Sequence, residues 1–233
     1  MSALDGLAVA FSGGVDSAVV AALAHRALGE RTFAVTAVSE TLSDREYLEA
    51  TELAREIGDP ADFVPQIGID QRATIALGGE KIELVFMGHG HSRGDLVIYL
   101  PERRVLFAGD LVFTGAHGRC KTTDFGGILA ILDALSQFPC DTVVPGHGIP
   151  VVGEGAQAIA TYRDYLVSLQ ERVAELVDSG VGLAEAKTKF GDWKYAKWVR
   201  PELLPTAIEH AYKDYVWRSR FYKFQTLREE ENA

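Results

Sequence analysis

Cysteine is scarce in this chain: its 233 residues hold only Cys120 and Cys140, and no CxxC pair. No disulfide framework follows, and a reducing cytoplasm is the expected setting. Long apolar runs are missing as well. Stretches such as Leu106–Ala108 and Leu111–Phe113 fall far short of the ~20 residues that span a bilayer. The N-terminus carries Asp5 and no basic n-region, so no signal peptide is expected. Positive charge is in deficit, with 23 Lys and Arg against 33 Asp and Glu and a net charge of −10. Like charges repel, so nucleic acid and anionic membrane are excluded as bulk partners, and a small-molecule substrate is left. The chain is 47% apolar and 24% charged, the composition of a globular protein with a true core.

Read in order, the first 58 residues predict strand, loop, helix, strand, helix. Leu7–Phe11 is fit for a buried parallel strand, and Phe33–Val38 for a second. Between them Val19, Val20, Leu23 and Leu28 give a helix its apolar face, and Gly29 stands near its end. Ser43 and Glu46 form a capping box for a helix over Asp44–Ile57, stopped by Gly58, Asp59 and Pro60. The texture then changes. Residues 72–115 predict successive strands, with hairpins at Gly78-Gly79 and at Pro101–Arg104. Ile128–Leu135 reads as a helix, Thr142–Val144 as a strand, and the chain from about Gly155 as helical. The last helix is expected over Pro205–Phe221, with a frayed charged tail at Arg228–Ala233. Tyr212, Tyr215, Trp217, Phe221 and Phe224 crowd this region and suggest packing on the body or a homo-oligomer contact. The single expected boundary divides residues 1–58 from 59–233.

Three residues with metal-ligand chemistry follow predicted strands: His91, Asp110 and His147. Loops at strand ends bring together side chains distant in sequence, and imidazole with carboxylate is the usual donor mix of a catalytic zinc site. The surrounding strings, Gly90-His91-Ser92-Arg93-Gly94-Asp95, Phe107-Ala108-Gly109-Asp110-Leu111 and Pro145-Gly146-His147-Gly148, resemble those of the metallo-β-lactamase superfamily over about residues 60–215. The resemblance implies an α/β fold of αββα layers, in part, and a zinc-dependent hydrolase. It implies that His91 and His147 serve as terminal ligands, that Asp110 bridges, and that Asp95 holds its own turn. The family's H-x-H-x-D-H motif is absent, so a reduced site with one zinc rather than two is expected. His89 reads as incidental, and His117 is a candidate substrate contact.

A second resemblance lies at the N-terminus. Ser12-Gly13-Gly14-Val15-Asp16-Ser17 is similar to the S-G-G-x-D-S motif of PP-loop ATP pyrophosphatases, and the segment to Ile57 resembles their sulfur-transferase members. A glycine turn opening a helix exposes backbone N–H groups where the helix dipole favours an anion. That implies ATP, with magnesium, as a ligand of Ser12, Gly13, Gly14, Asp16 and Ser17. Overlaid on the missing H-x-H-x-D-H motif, the string sets Asp16 on the motif's aspartate, making Asp16 a candidate metal ligand. The βαβα unit would then complete or flank the sheet. Three functions stay open: a metal-dependent hydrolase, a nucleotide-binding module, and an inactive hybrid of the two.

Overall fold

A computed structural model describes residues 7–10, 24, 26, 29, 32–35, 69–120 and 123–231, with side chains at 24, 26, 29, 69–120 and 123–219. Near the N-terminus β1 (Leu7–Ala10) pairs in parallel with β2 (Thr32–Val35). Among the described residues these two strands form their own sheet and make no ladder with the larger one. Of the two expectations, that the unit completes the main sheet or flanks it, no described ladder corresponds to the first. The helix expected at 44–57 lies outside the described residues.

The main sheet has six strands in sequence order: β3 (Arg72–Leu77), β4 (Glu80–Gly88), β5 (Asp95–Leu100), β6 (Val105–Thr114), β7 (Thr142–Gly148) and β8 (Val151–Val152). The β3–β4 hairpin turns at Gly78 and Gly79, both at positive φ, a conformation glycine adopts without a Cβ penalty. β4 to β5 and β5 to β6 are antiparallel, whereas β6 to β7 is parallel. Strands β4, β6 and β7 therefore point the same way, and their C-terminal ends share one edge of the sheet.

Helix α1 (Phe125–Leu135) supplies the crossover from β6 to β7. It starts three residues before the expected Ile128, because Asp124 caps it by accepting from the Gly126 amide. Helix α2 (Gly155–Asp178) buries Ile159, Tyr162, Leu166, Leu169 and Val173, one stripe at helical spacing. Each such burial contributes roughly 1.5–3 kcal/mol. A short α3 (Leu183–Ala186) and a 3₁₀ turn (Pro201–Leu203) lead into α4 (Leu204–Glu231). This last helix continues past the expected Phe221 to Glu231, into the segment expected to fray. It docks on the end of α2 through Tyr215, whose hydroxyl donates to the Asp178 carboxylate, and on the turn that follows through Tyr212, whose hydroxyl donates to the Val181 carbonyl.

The helices cover one face of the sheet, where Val85, Val97, Tyr99, Leu106 and Ala108 join the α1 and α2 side chains in the main core. The opposite face is also apolar. Ile69 and Leu84 are buried there, with Ile75, Ile82, Leu96 and Ile98 packed against them. No helix among the described residues is long and apolar enough to cross a membrane.

Candidate metal centre

Asp110 lies part-way along β6, where the ladder to β7 breaks register between Phe107 and Gly109 and again between Gly109 and Phe113. Gly109 takes φ +52 at this irregularity. A bulge of this kind re-aims the following side chain, here an aspartate within an otherwise apolar strand. The same device precedes His91: β4 shifts register between Phe86 and Gly88, and Gly88 has φ +94.

His91 starts from a strand that is separated from β6 by β5. Its loop crosses the start of β5, and Asp95 fixes it there. The Asp95 carboxylate accepts from the backbone amides of Gly90, His91 and Ser92 at 2.7–3.1 Å and from the Ser92 hydroxyl at 2.6 Å. Burial pushes the Asp95 carboxyl up, and the Ser92 and His91 donors pull it back. Asp95 thus holds its turn.

His147 sits near the end of β7, between two glycines that packing requires. A Cβ on Gly146 would collide with Asp110 Oδ1 and stand 2.7 Å from the Gly109 carbonyl carbon and 2.8 Å from the Asp110 nitrogen. A Cβ on Gly148, at φ +106, would overlap the Thr114 carbonyl oxygen. The Pro-Gly-His-Gly string therefore lets β7 press against β6 on both sides of the imidazole.

These three segments bring His91, Asp110 and His147 together. His91 Nε2 lies 3.4 Å from Asp110 Oδ2, and His147 Nε2 lies 3.6 Å from Asp110 Oδ1. The Asp110 and His147 side chains are 39% and 37% exposed, so the group opens to solvent. Phe113, fully buried on the same strand, supports both imidazoles. Its ring stacks on His147 at 5.4 Å and meets His91 edge-on at 5.9 Å, with Tyr162 behind it at 5.4 Å. Gly118 packs against the Phe113 ring so closely that any Cβ would overlap it. Phe113 was not singled out from the sequence, where it reads as one more core residue of an apolar strand.

Two imidazoles and a carboxylate suit zinc in kind, and nitrogen–oxygen separations near 3.4 Å are those of neighbouring ligands at bond lengths of about 2.0–2.2 Å. Yet among the described residues no group of three or more His, Cys, Asp or Glu is arranged to hold a metal ion. The two findings describe one geometry. Each imidazole faces a different oxygen of Asp110. The donor chemistry fits the ion, and the set is open.

Of the other candidates, Ser12, Gly13, Gly14, Asp16 and Ser17 lie outside the described residues. His89 is exposed. His117 is corrected: it is fully buried, not presented to substrate. Its Nδ1 is 2.9 Å from the Tyr165 hydroxyl, and its ring lies among Tyr165, Trp193 and Trp198. Burial pushes the imidazole below its ordinary 6.5, with Glu202 and the Ala196 backbone opposing. A depressed folded value means that the unfolded chain binds the proton first. Stability is therefore complete above pH 6.5 and falls as pH drops through the window below it. The melting temperature should decline over that window more steeply in the wild type than in His117→Phe. Parallel declines measured by calorimetry would refute this.

A sequence model of the metallo-beta-lactamase superfamily matches residues 16–147, more than half of the chain. The chain belongs to the metallo-beta-lactamase superfamily. The match starts at Asp16 and runs across the boundary expected near residue 58. A type 2 metallo-beta-lactamase of Bacteroides fragilis is 31% identical over 102 residues, 42% of this chain and 40% of that protein. A hydroxyacylglutathione hydrolase of a Synechococcus strain is 30% identical over 130 residues, 52% of this chain and 51% of that enzyme. The chain thus spans about half the length, or less, of these superfamily relatives. A solved metallo-beta-lactamase family protein of Thermus thermophilus shares the fold, with a TM-score of 0.54 at 18% identity over 80% of this chain and 67% of that one.

Proposed function

We propose that the chain is a metal-dependent hydrolase with a reduced site, in which His91, Asp110 and His147 hold one zinc ion. The reading rests on one observation above all: two imidazoles from separate loops face the two oxygens of a single solvent-open carboxylate. A bound zinc would supply water made acidic to a pKa of about 7 and polarisation of the scissile bond. The chain's own residues do the rest. Asp110 carries the negative charge between the imidazoles. Phe113 fixes both rings and closes the inner side of the site to water. Asp16 is the further donor in this proposal, and the division at residues 58 and 59 is part of it. Apolar side chains on both faces of the sheet suit αββα layering.

The substrate in this reading is anionic. Arg93 and Arg119, on the loops that follow β4 and β6, are exposed and have no ion pair among the described residues. Every other arginine between residues 69 and 219 has one. Unpaired guanidinium groups in a chain of net charge −10 suit a carboxylate on the substrate.

The test is zinc titration of the purified chain, followed by a panel of carboxylate-bearing thioesters and lactams beside neutral esters. The expected result is about one zinc per chain and hydrolysis that favours the anionic compounds and stops with a chelator. No zinc uptake, or no turnover across the panel, would overturn the reading. A second reading draws on the parallel β1–β2 pairing, which suits a strand–loop–helix–strand phosphate site at Ser12–Ser17. In that case ATP with magnesium, and not zinc, would raise the melting temperature.

A further inference from the structure

The loop bearing His91 is clamped on two sides. Asp95 binds its amides from below. The residue that caps α1 holds it as well: the Asp124 amide donates to the Gly90 carbonyl at 2.9 Å. Gly127 packs so tightly on the His89 carbonyl oxygen that a Cβ there would overlap it. The second clamp is only as firm as the segment Thr123–Phe125, and that segment is tied to the C-terminal helix. His210 Nε2 lies 2.8 Å from the Thr123 carbonyl. A carbonyl only accepts, so this nitrogen carries the proton. The His210 ring also rests against Phe125 at 5.4 Å. Two turns further along α4, Arg218 stands 3.7 Å from Asp124 Oδ1 and is held by Asp214 at 3.0 Å.

We infer that His210, assisted by Arg218, is a positioning residue for His91, acting through Thr123, Asp124 and Gly90. The two side chains are remote from His91 in sequence, and their effect passes through three backbone hydrogen-bonding groups in series. With the Asp95 clamp, this path helps to fix where the imidazole loop stands relative to Asp110. Partners bonded directly to a ligand alter metal affinity about 10–100-fold when removed, and a residue acting through intervening backbone is expected at the low end of that range. The zinc arm of the test rests on the proposed hydrolase reading; the exchange arm does not.

Amide hydrogen exchange is measured on the full chain for the wild type, His210→Ala, His210→Gln and Arg218→Met, with zinc affinity by calorimetry alongside. In His210→Ala the amides of Gly90, His91 and Ser92 should exchange at least about tenfold faster, while those of Leu84 and Val85 in β4 keep their protection. His210→Gln, which retains an N–H donor, should restore most of the difference, and Arg218→Met should show a smaller local effect. Zinc affinity should fall about tenfold in His210→Ala, but not further when His91→Ala is already present. Unchanged exchange at residues 90–92, or faster exchange spread equally over β4, would overturn the inference. A wild type that takes up no zinc would overturn the hydrolase reading instead, and the exchange arm would still decide this one.

Discussion

Replacing Asp110 with asparagine should lower kcat on the order of 10³-fold, equivalent to about 4 kcal/mol of barrier, and leave the fold intact. Asparagine keeps the size of the side chain but removes its charge and turns one of its two oxygens into a donor. Each imidazole now faces its own carboxylate oxygen, at 3.4 Å for His91 and 3.6 Å for His147, so in the variant one of them must face an amide nitrogen instead. The carboxylate is 39% exposed, and substitution leaves no buried charge unpaired. Stability should therefore change by less than ~1 kcal/mol. Steady-state kinetics, thermal unfolding and zinc calorimetry on the same preparation separate these effects. A variant within about tenfold of wild-type activity would show that Asp110 is not where the chemistry occurs.

The parts of this molecule that could be read from the sequence are those in which local pattern and local chemistry coincide. The β3–β4 hairpin was legible because Gly78-Gly79 stands between two alternating strands, and both glycines do take positive φ. The convergence of His91, Asp110 and His147 was legible because their motifs are short, and those of Asp110 and His147 contain the glycines that shape them. The support of the site was not. Phe113 looks like core from the sequence because it is core: its contact with the site comes from its stacking on His147, which belongs to another strand. His117 was misread for the converse reason. A polar residue just past a metal-ligand candidate suggests substrate, but α2 and the segment 193–198 enclose it in aromatic rings. Helix α1 began earlier than its apolar periodicity indicated because Asp124, and not the first apolar residue, sets the start.

A methyl group at position 146 should be nearly as damaging to the site as the loss of Asp110 itself. In Gly146→Ala the new Cβ would overlap Asp110 Oδ1 and crowd the Gly109–Asp110 peptide at 2.7 and 2.8 Å. Two of these neighbours are backbone atoms of β6, which pairs with β7 at Gly109, so the strain cannot be relieved by a rotamer change alone. Either β7 moves away from β6, carrying His147 with it, or the Asp110 carboxylate turns out of reach of the imidazoles. Overpacking of this kind costs about 1–3 kcal/mol, and a displacement of ~1 Å at a reacting group alone costs about 10²-fold in rate. The expected outcome is a lowered melting temperature together with a loss of zinc affinity larger than that stability change accounts for. Gly182→Ala is the matched control, because a Cβ there meets nothing within 4 Å and its φ is −72. Should Gly146→Ala retain wild-type zinc affinity and activity, β7 would have slack against β6, and the tight contact could not be what sets His147 beside Asp110.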